Sequence, residues 1–162
     1  MNVMFAYAFY KRGFAKYGFE VINSIYNMCL NTSSSRIYPG IPEYFNSEGR
    51  GMYNYLTGSA SWLLFTMLTQ VFGVRGEMGG LAIDPKLVKE QFGKSGKVSV
   101  SAGFAGKRIM VNYYNPEKLD YGEYKIGNVS INDKSVSTMP VKREEFLNLA
   151  EKPLNTIDVQ LV

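Results

Sequence analysis

The chain has 162 residues, 46% hydrophobic and 20% charged, with a formal net charge of +4. That length suits one ordinary domain or two small ones, and the composition excludes an intrinsically disordered chain. Residues 1–75 carry six basic and three acidic side chains and residues 76–162 carry twelve and eleven. With no basic cluster in either part, nucleic acid is not an expected partner.

Residues 2–12 read as a helix. Met1, Met4, Phe5 and Ala8 make one apolar stripe, and Val3, Tyr7 and Tyr10 make another. A helix apolar nearly all round is a buried helix, so this one calls for neighbours on every side. Lys11-Arg12-Gly13 breaks the run, and residues 14–30 form a second helix of different character. Phe14, Tyr17, Val21, Ile22, Ile25, Met28 and Cys29 line one face, with Lys16, Glu20, Asn23 and Asn27 opposite. The lone Cys29 therefore reads as a buried thiol with no disulfide partner, which fits a reducing, cytoplasmic setting. The N-terminus lacks the basic leader and small-residue cleavage site of a signal peptide. No run reaches the ~20 apolar residues of a membrane span, so no membrane partner is expected.

Asn31 to Ser35 is a polar connection, and residues 36–58 follow as a long loop rich in proline and glycine. Loops of that length inside a compact domain are often functional. Ser59 to Phe72 contains no charged side chain and reads as another buried helix, stopped at Gly73. Beyond Gly76 the period changes from helix to strand. Leu81-Ala82-Ile83 is a short apolar run. Lys97 to Phe104 and Arg108 to Tyr114 alternate strictly about Ala105-Gly106-Lys107, a hairpin signal. Tyr124 and Ile126 alternate, then Val129 and Ile131 continue one residue out of phase, with Gly127 as a candidate bulge. Asn132-Asp133-Lys134 reads as a turn, residues 141–149 as a short helix, and Ile157, Val159 and Leu161 as a last strand. The class is α+β, with a helical part at 1–75 and a small antiparallel β-sandwich at 76–162.

The stretch Tyr53-Asn54-Tyr55-Leu56-Thr57-Gly58-Ser59-Ala60-Ser61-Trp62 joins the long loop to the third helix. Thr57 and Ser59 both have a hydroxyl able to cap a helix start. The same hydroxyls, Gly58 and the free N–H groups also suit a phosphate-like anion. Capping and anion binding are both open on this local evidence. Glu43 lies in Ile41-Pro42-Glu43-Tyr44-Phe45, where nearby prolines stiffen the backbone. There a carboxylate either accepts sugar hydroxyls or is simply solvated. Tyr44 is a candidate for stacking on a sugar and Arg50 for charge near an anion, whereas Trp62 fits a core position better.

The order of these segments resembles the C-terminal part of the glycoside hydrolase family 94 phosphorylases, which include the cellobiose, cellodextrin and laminaribiose phosphorylases. The resemblance is carried by Ile37-Tyr38-Pro39-Gly40-Ile41-Pro42-Glu43-Tyr44-Phe45-Asn46, Gly49-Arg50-Gly51-Met52, the Thr-Gly-Ser turn, Val71-Phe72-Gly73-Val74-Arg75-Gly76, Asp84-Pro85-Lys86-Leu87, Asn115-Pro116 and Leu119-Asp120-Tyr121-Gly122. It implies that residues 1–75 are the last helices of an incomplete (α/α)6 toroid, although the spacing alone allows any helical bundle. It also implies an inverting phosphorolysis of β-linked gluco-oligosaccharides. In that reaction inorganic phosphate is the co-substrate, an aspartic acid is the general acid, and neither metal nor other cofactor takes part.

By this resemblance Thr57 and Gly58 hold phosphate, and Glu43 and Tyr44 contact sugar. No aspartate occurs before Asp84 and no histidine occurs anywhere. The family's acid and the histidine of its phosphate site therefore have no counterpart in the matched segments, and the chain alone is expected to be inactive. The remaining helices or a homodimer mate would supply the rest. The alternatives are the tail of a cyclic β-glucan synthase, a split enzyme with its other half on a second chain, and a non-catalytic carbohydrate-binding or structural module.

Overall fold

A computed structural model describes residues 2–37, 40–54 and 58–162. The chain is mixed α and β and divides into two compact units, residues 1–70 and 71–162.

In the first unit, α1 (Asn2–Lys11) packs against α2 (Ala15–Leu30). Close approach is possible because α2 presents Gly18 to the ring of Tyr10. A Cβ on Gly18 would lie 2.5 Å from that ring. Of the expected stripe Ile25 and Cys29 are buried and Val21 and Ile22 half-buried, and the small residues Ala15 and Gly18 complete the buried face. Phe14, Tyr17 and Met28 stay exposed, while the expected polar face of Lys16, Glu20, Asn23 and Asn27 does face solvent. A single turn, α3 (Thr32–Ser35), follows. Val3, Ile25 and Cys29 form the core, with Val21, Ile37, Ile41, Phe45 and Leu63 packed on it.

The third long helix, α4, runs from Gly58 to Thr66 and continues as a π-helical turn, Met67–Val71. Both wholly apolar helices were expected to be buried, and neither is. Helix α1 buries Val3, Ala6 and Tyr10 but leaves Met4 and Phe5 half exposed. Helix α4 buries Thr66 and leaves Leu64, Phe65 and Trp62 exposed. So small a unit does not have the neighbours that would cover such helices on all sides.

The second unit opens with a hairpin, β3 (Val74–Glu77) and β4 (Gly80–Ile83). Gly73, at φ +66, lets the chain pass against Asp84, whose carbonyl would lie 1.9 Å from any Cβ there. A five-stranded sheet follows, built from β5 (Lys97–Phe104), β6 (Lys107–Tyr114), β7 (Ile126–Ile131), β8 (Lys134–Val136) and β9 (Asn155–Leu161). Its order is β5-β6-β9-β7-β8. The expected hairpin at 97–114 is present in register, Lys97 opposite Tyr114. The expected phase slip is also present, as a register shift between Ile126 and Val129.

The expected all-antiparallel pairing is not found. Strand β9 runs parallel to β6 along Ile109–Tyr114 and antiparallel to β7. The connection through α5 (Arg143–Leu149) is long enough to carry the chain back between two strands already placed. The described strands form this one mixed sheet and two two-stranded pairs.

Strand β9 alternates buried and half-buried residues along its length. Ile157, Val159 and Leu161 join Ile109, Val111, Tyr113, Val129 and Ile131 in the core. Phe146 of α5 meets Phe104 of β5 edge-on at 5.0 Å, so α5 covers this face. On the opposite face Asn112 accepts from Ser99 and donates to Asp158, which also accepts from Tyr114. That ladder ties β5, β6 and β9 in one register. The buried Tyr124 hydroxyl receives the Leu87 N–H at 2.8 Å and fixes the loop between β4 and β5.

Asn155, fully buried at the start of β9, donates to the carbonyls of Arg108 and Lys152 and accepts from the Asn132 side chain and the Lys152 N–H. Asn155→Ala should therefore lower stability by about 2–4 kcal/mol, because several buried polar groups lose partners together. A urea melt followed by near-ultraviolet circular dichroism measures this, and an unchanged midpoint would contradict the assigned role.

Burial pushes the Tyr10 hydroxyl and the Cys29 thiol above their ordinary values of 10.0 and 9.0. As pH rises the unfolded chain loses these protons before the folded unit does. The stability of the first unit should be full below about pH 9 and decline above it. Denaturation midpoints at about pH 7 and about pH 10.5 test the sign, and Tyr10→Phe should reduce the difference.

Candidate functional site

The described residues of the long loop, 36–37 and 40–54, include a short hairpin. Arg36 adopts a left-handed conformation after α3, and Ile37 packs its side chain over Gly51. Two short strands, β1 (Tyr44–Phe45) and β2 (Gly51–Met52), pair antiparallel. Asn46 closes the turn between them. Its side-chain oxygen accepts the N–H groups of Glu48 and Arg50, and its own N–H donates to the Arg50 carbonyl at 3.0 Å.

Glu43 sits one residue before this hairpin, and its N–H is shared between the carbonyls of Met52 and Tyr53 at 3.1 and 3.2 Å. Ser59, on the first turn of α4, binds it twice. The Ser59 hydroxyl donates to the Glu43 carbonyl at 3.2 Å, and the Ser59 N–H donates to the Glu43 carboxylate at 3.4 Å. A carboxylate distant in sequence thus takes the anion position at this helix start. Of the two roles left open for the Ser59 hydroxyl, neither capping nor anion binding is the one seen: it is hydrogen-bonded to the Glu43 carbonyl. Ser59 lies inside α4 and its hydroxyl points back to the loop.

Glu43, Tyr44, Asn46, Asn2, Met28 and Ser59 are among the residues lining an open cleft of ≈ 320 Å³. The structure therefore brings two of the sequence candidates, Glu43 and Tyr44, to one cavity. Gly58 is the first residue of α4, exposed, with nothing within 4 Å of where a Cβ would stand. Thr57 lies outside the described residues. Arg50 is exposed on the hairpin turn. Trp62 packs edge-on against Tyr7 at 5.5 Å and Phe65 at 5.8 Å, in a cluster of aromatic rings.

Sequence reasoning passed over two residues here. Asn46 shapes the hairpin through a backbone-mimicking turn that its position before Ser47-Glu48-Gly49 could have signalled. Tyr53 takes a left-handed backbone, φ 54, and stacks near Tyr44, which no residue preference would suggest. Among the described residues no group of three or more histidine, cysteine, aspartate or glutamate side chains is placed to hold a metal, and no helix is long and apolar enough to cross a membrane.

Two substitutions separate the structural roles. Glu43→Ala removes the acceptor at the start of α4 and should destabilise the first unit by about 0.5–1 kcal/mol. Gly58→Ala meets open space at a helix start, so stability should be unchanged or rise by about 0.5 kcal/mol. Thermal melts of the two variants check both, and a large loss at Gly58→Ala would mean that the glycine is structurally required.

Compared with protein-family models and with curated proteins, the chain matches none of them significantly.

Proposed function

We propose that the first unit carries part of the active site of an inverting glycoside phosphorylase acting on β-linked gluco-oligosaccharides, and that the reaction needs groups this chain does not supply. The observation that supports this most directly is Glu43. Its carboxylate stands at the edge of an open cleft, beside Tyr44 and the first turn of α4, fixed through its own backbone on two sides. A carboxylate held this way can accept a pair of sugar hydroxyls with little further ordering. In this reading residues 1–75 belong to an (α/α)6 toroid and residues 76–162 to its accompanying β domain. The exposed apolar faces of α1 and α4 are where further toroid helices or a homodimer mate would pack.

Phosphate would approach the α4 start at Thr57 and Gly58. The exposed Gly58, with room in place of a side chain, suits close approach of an anion to the backbone. Phosphate would attack the anomeric carbon there while an acid outside this chain protonates the leaving oxygen. In this scheme Glu43 orients the sugar and takes no part in proton transfer.

A cellotetraose titration by calorimetry, with and without inorganic phosphate, tests the reading. The chain should bind the sugar, bind it more tightly with phosphate present, and form no glucose 1-phosphate. Glu43→Gln should weaken sugar binding roughly tenfold, as expected on losing a charged acceptor. Absence of sugar binding would overturn the proposal. Sugar binding with no phosphate effect would favour a carbohydrate-binding module.

A further inference from the structure

The conformation of Tyr53 is the least expected feature of the first unit. Its φ of 54 belongs to the left-handed region, where glycine or asparagine is the ordinary choice and a bulky aromatic residue is strained. Such strain persists where the surroundings enforce it, and it gathers at functional sites. Burial of the ring is not the compensation, because Tyr53 is 69% exposed. Among the described residues it pairs with the ring of Tyr44, itself 49% exposed, at 5.7 Å between centroids and tilted by 48°. Two large rings are thus held together in solvent at a backbone cost.

The hydrogen bonds explain how they are held. Tyr44 pairs with Met52 across the β1–β2 hairpin, and Tyr53 follows directly. The Glu43 N–H is shared by the carbonyls of Met52 and Tyr53. Both rings are therefore tied through one backbone knot to Glu43, which lines the cleft. Tyr44 lines that cleft.

We infer that Tyr53 and Tyr44 form a stacking platform for the apolar face of a pyranose ring whose edge hydroxyls are held by Glu43, an inference that rests on the cleft being a saccharide subsite. A β-linked glucose has all its hydroxyls equatorial, so each ring face presents C–H groups only. An exposed aromatic surface beside a carboxylate matches that arrangement of apolar face and polar edge. In β-1,4-linked galactose the linkage runs through an axial C4 oxygen, so the chain is kinked and successive rings do not present the flat faces of a cello-oligosaccharide.

The test is calorimetric titration of the full chain with cellotetraose, comparing wild type, Tyr53→Phe, Tyr53→Gly and Glu43→Gln. The glycine variant keeps the left-handed backbone without strain, so it removes the ring and spares the knot; circular dichroism confirms its fold. Tyr53→Phe should bind like wild type, and Tyr53→Gly should weaken binding roughly tenfold, a loss typical of an anchoring aromatic residue. A β-1,4-galactotetraose should bind wild type more weakly and lose less on Tyr53→Gly. Unchanged binding by Tyr53→Gly, with binding lost in Glu43→Gln, overturns the platform and leaves the saccharide cleft standing. No binding of cellotetraose by wild type overturns both. Platform behaviour without any phosphate effect sustains this inference and removes phosphorolysis.

Discussion

The double contact between Glu43 and Ser59 is the constraint on which the candidate site depends. The two residues are sixteen apart in sequence, and their bonds join the loop to the start of α4. The Glu43 N–H makes the other connection, to the end of the β1–β2 hairpin. One residue therefore ties loop, hairpin and helix to one another, and the cleft lies between them and residues of α1 and α2. Without that fixing, a loop of this length would leave a carboxylate and two tyrosines in many arrangements, and ordering them would fall on the ligand.

The rest of the first unit is built for contact. Gly18 lets the Tyr10 ring descend onto α2, so α1 and α2 approach closely through small residues. The larger side chains are thereby turned outward, which is why Phe14 and Tyr17 are exposed on a helix that looked conventionally amphipathic. Met4 and Phe5 on α1 and Trp62, Leu64 and Phe65 on α4 are all left exposed. The two units differ sharply here, since the sheet unit buries its large apolar residues around β9.

How far the sequence could be read follows from what each signal contains. Strict alternation at 97–104 and 107–114 located two strands, and the slip after Ile126 located the bulge, because period and phase are local properties. Strand direction is not local. Nothing in Ile157-Asp158-Val159-Gln160-Leu161 states that β9 enters between β6 and β7, parallel to one and antiparallel to the other. Strand β8, three residues on the sheet edge, was too short to show a period. In the helical unit, the spacing of apolar residues located the helices and, on α2, the polar face and the buried Ile25 and Cys29, but not the burial of Ala15 and Gly18 or the exposure of Tyr17 and Met28, where the close fit of Tyr10 on Gly18 matters. Glu43 and Tyr44, singled out from a proline-framed segment, do line a cleft, which is as far as the structure goes with them. Tyr53 was not singled out, since its role depends on a backbone conformation that its side chain disfavours.

The charge at the α4 start limits what this site can do alone. A helix N-terminus favours an anion by about 0.3–1 kcal/mol at an exposed position. Part of that advantage is already used by the Glu43 carboxylate. A second anion about 4 Å from it would meet a repulsion of about 1 kcal/mol in water, and several times more once a sugar displaced the solvent. The helix end by itself thus roughly offsets the repulsion, so this chain alone would hold phosphate weakly and the effect of phosphate on sugar binding would show at high phosphate concentration. Arginine 50 sits on the hairpin turn, and the chain has no histidine to share the load. A phosphorylase built on this cleft therefore needs cationic groups from helices packed on the exposed faces of the first unit, and the same helices would have to carry the acid. The proposed sugar subsite does not share this dependence: Glu43, Tyr44 and Tyr53 are tied to one another through the Glu43 N–H and the β1–β2 hairpin.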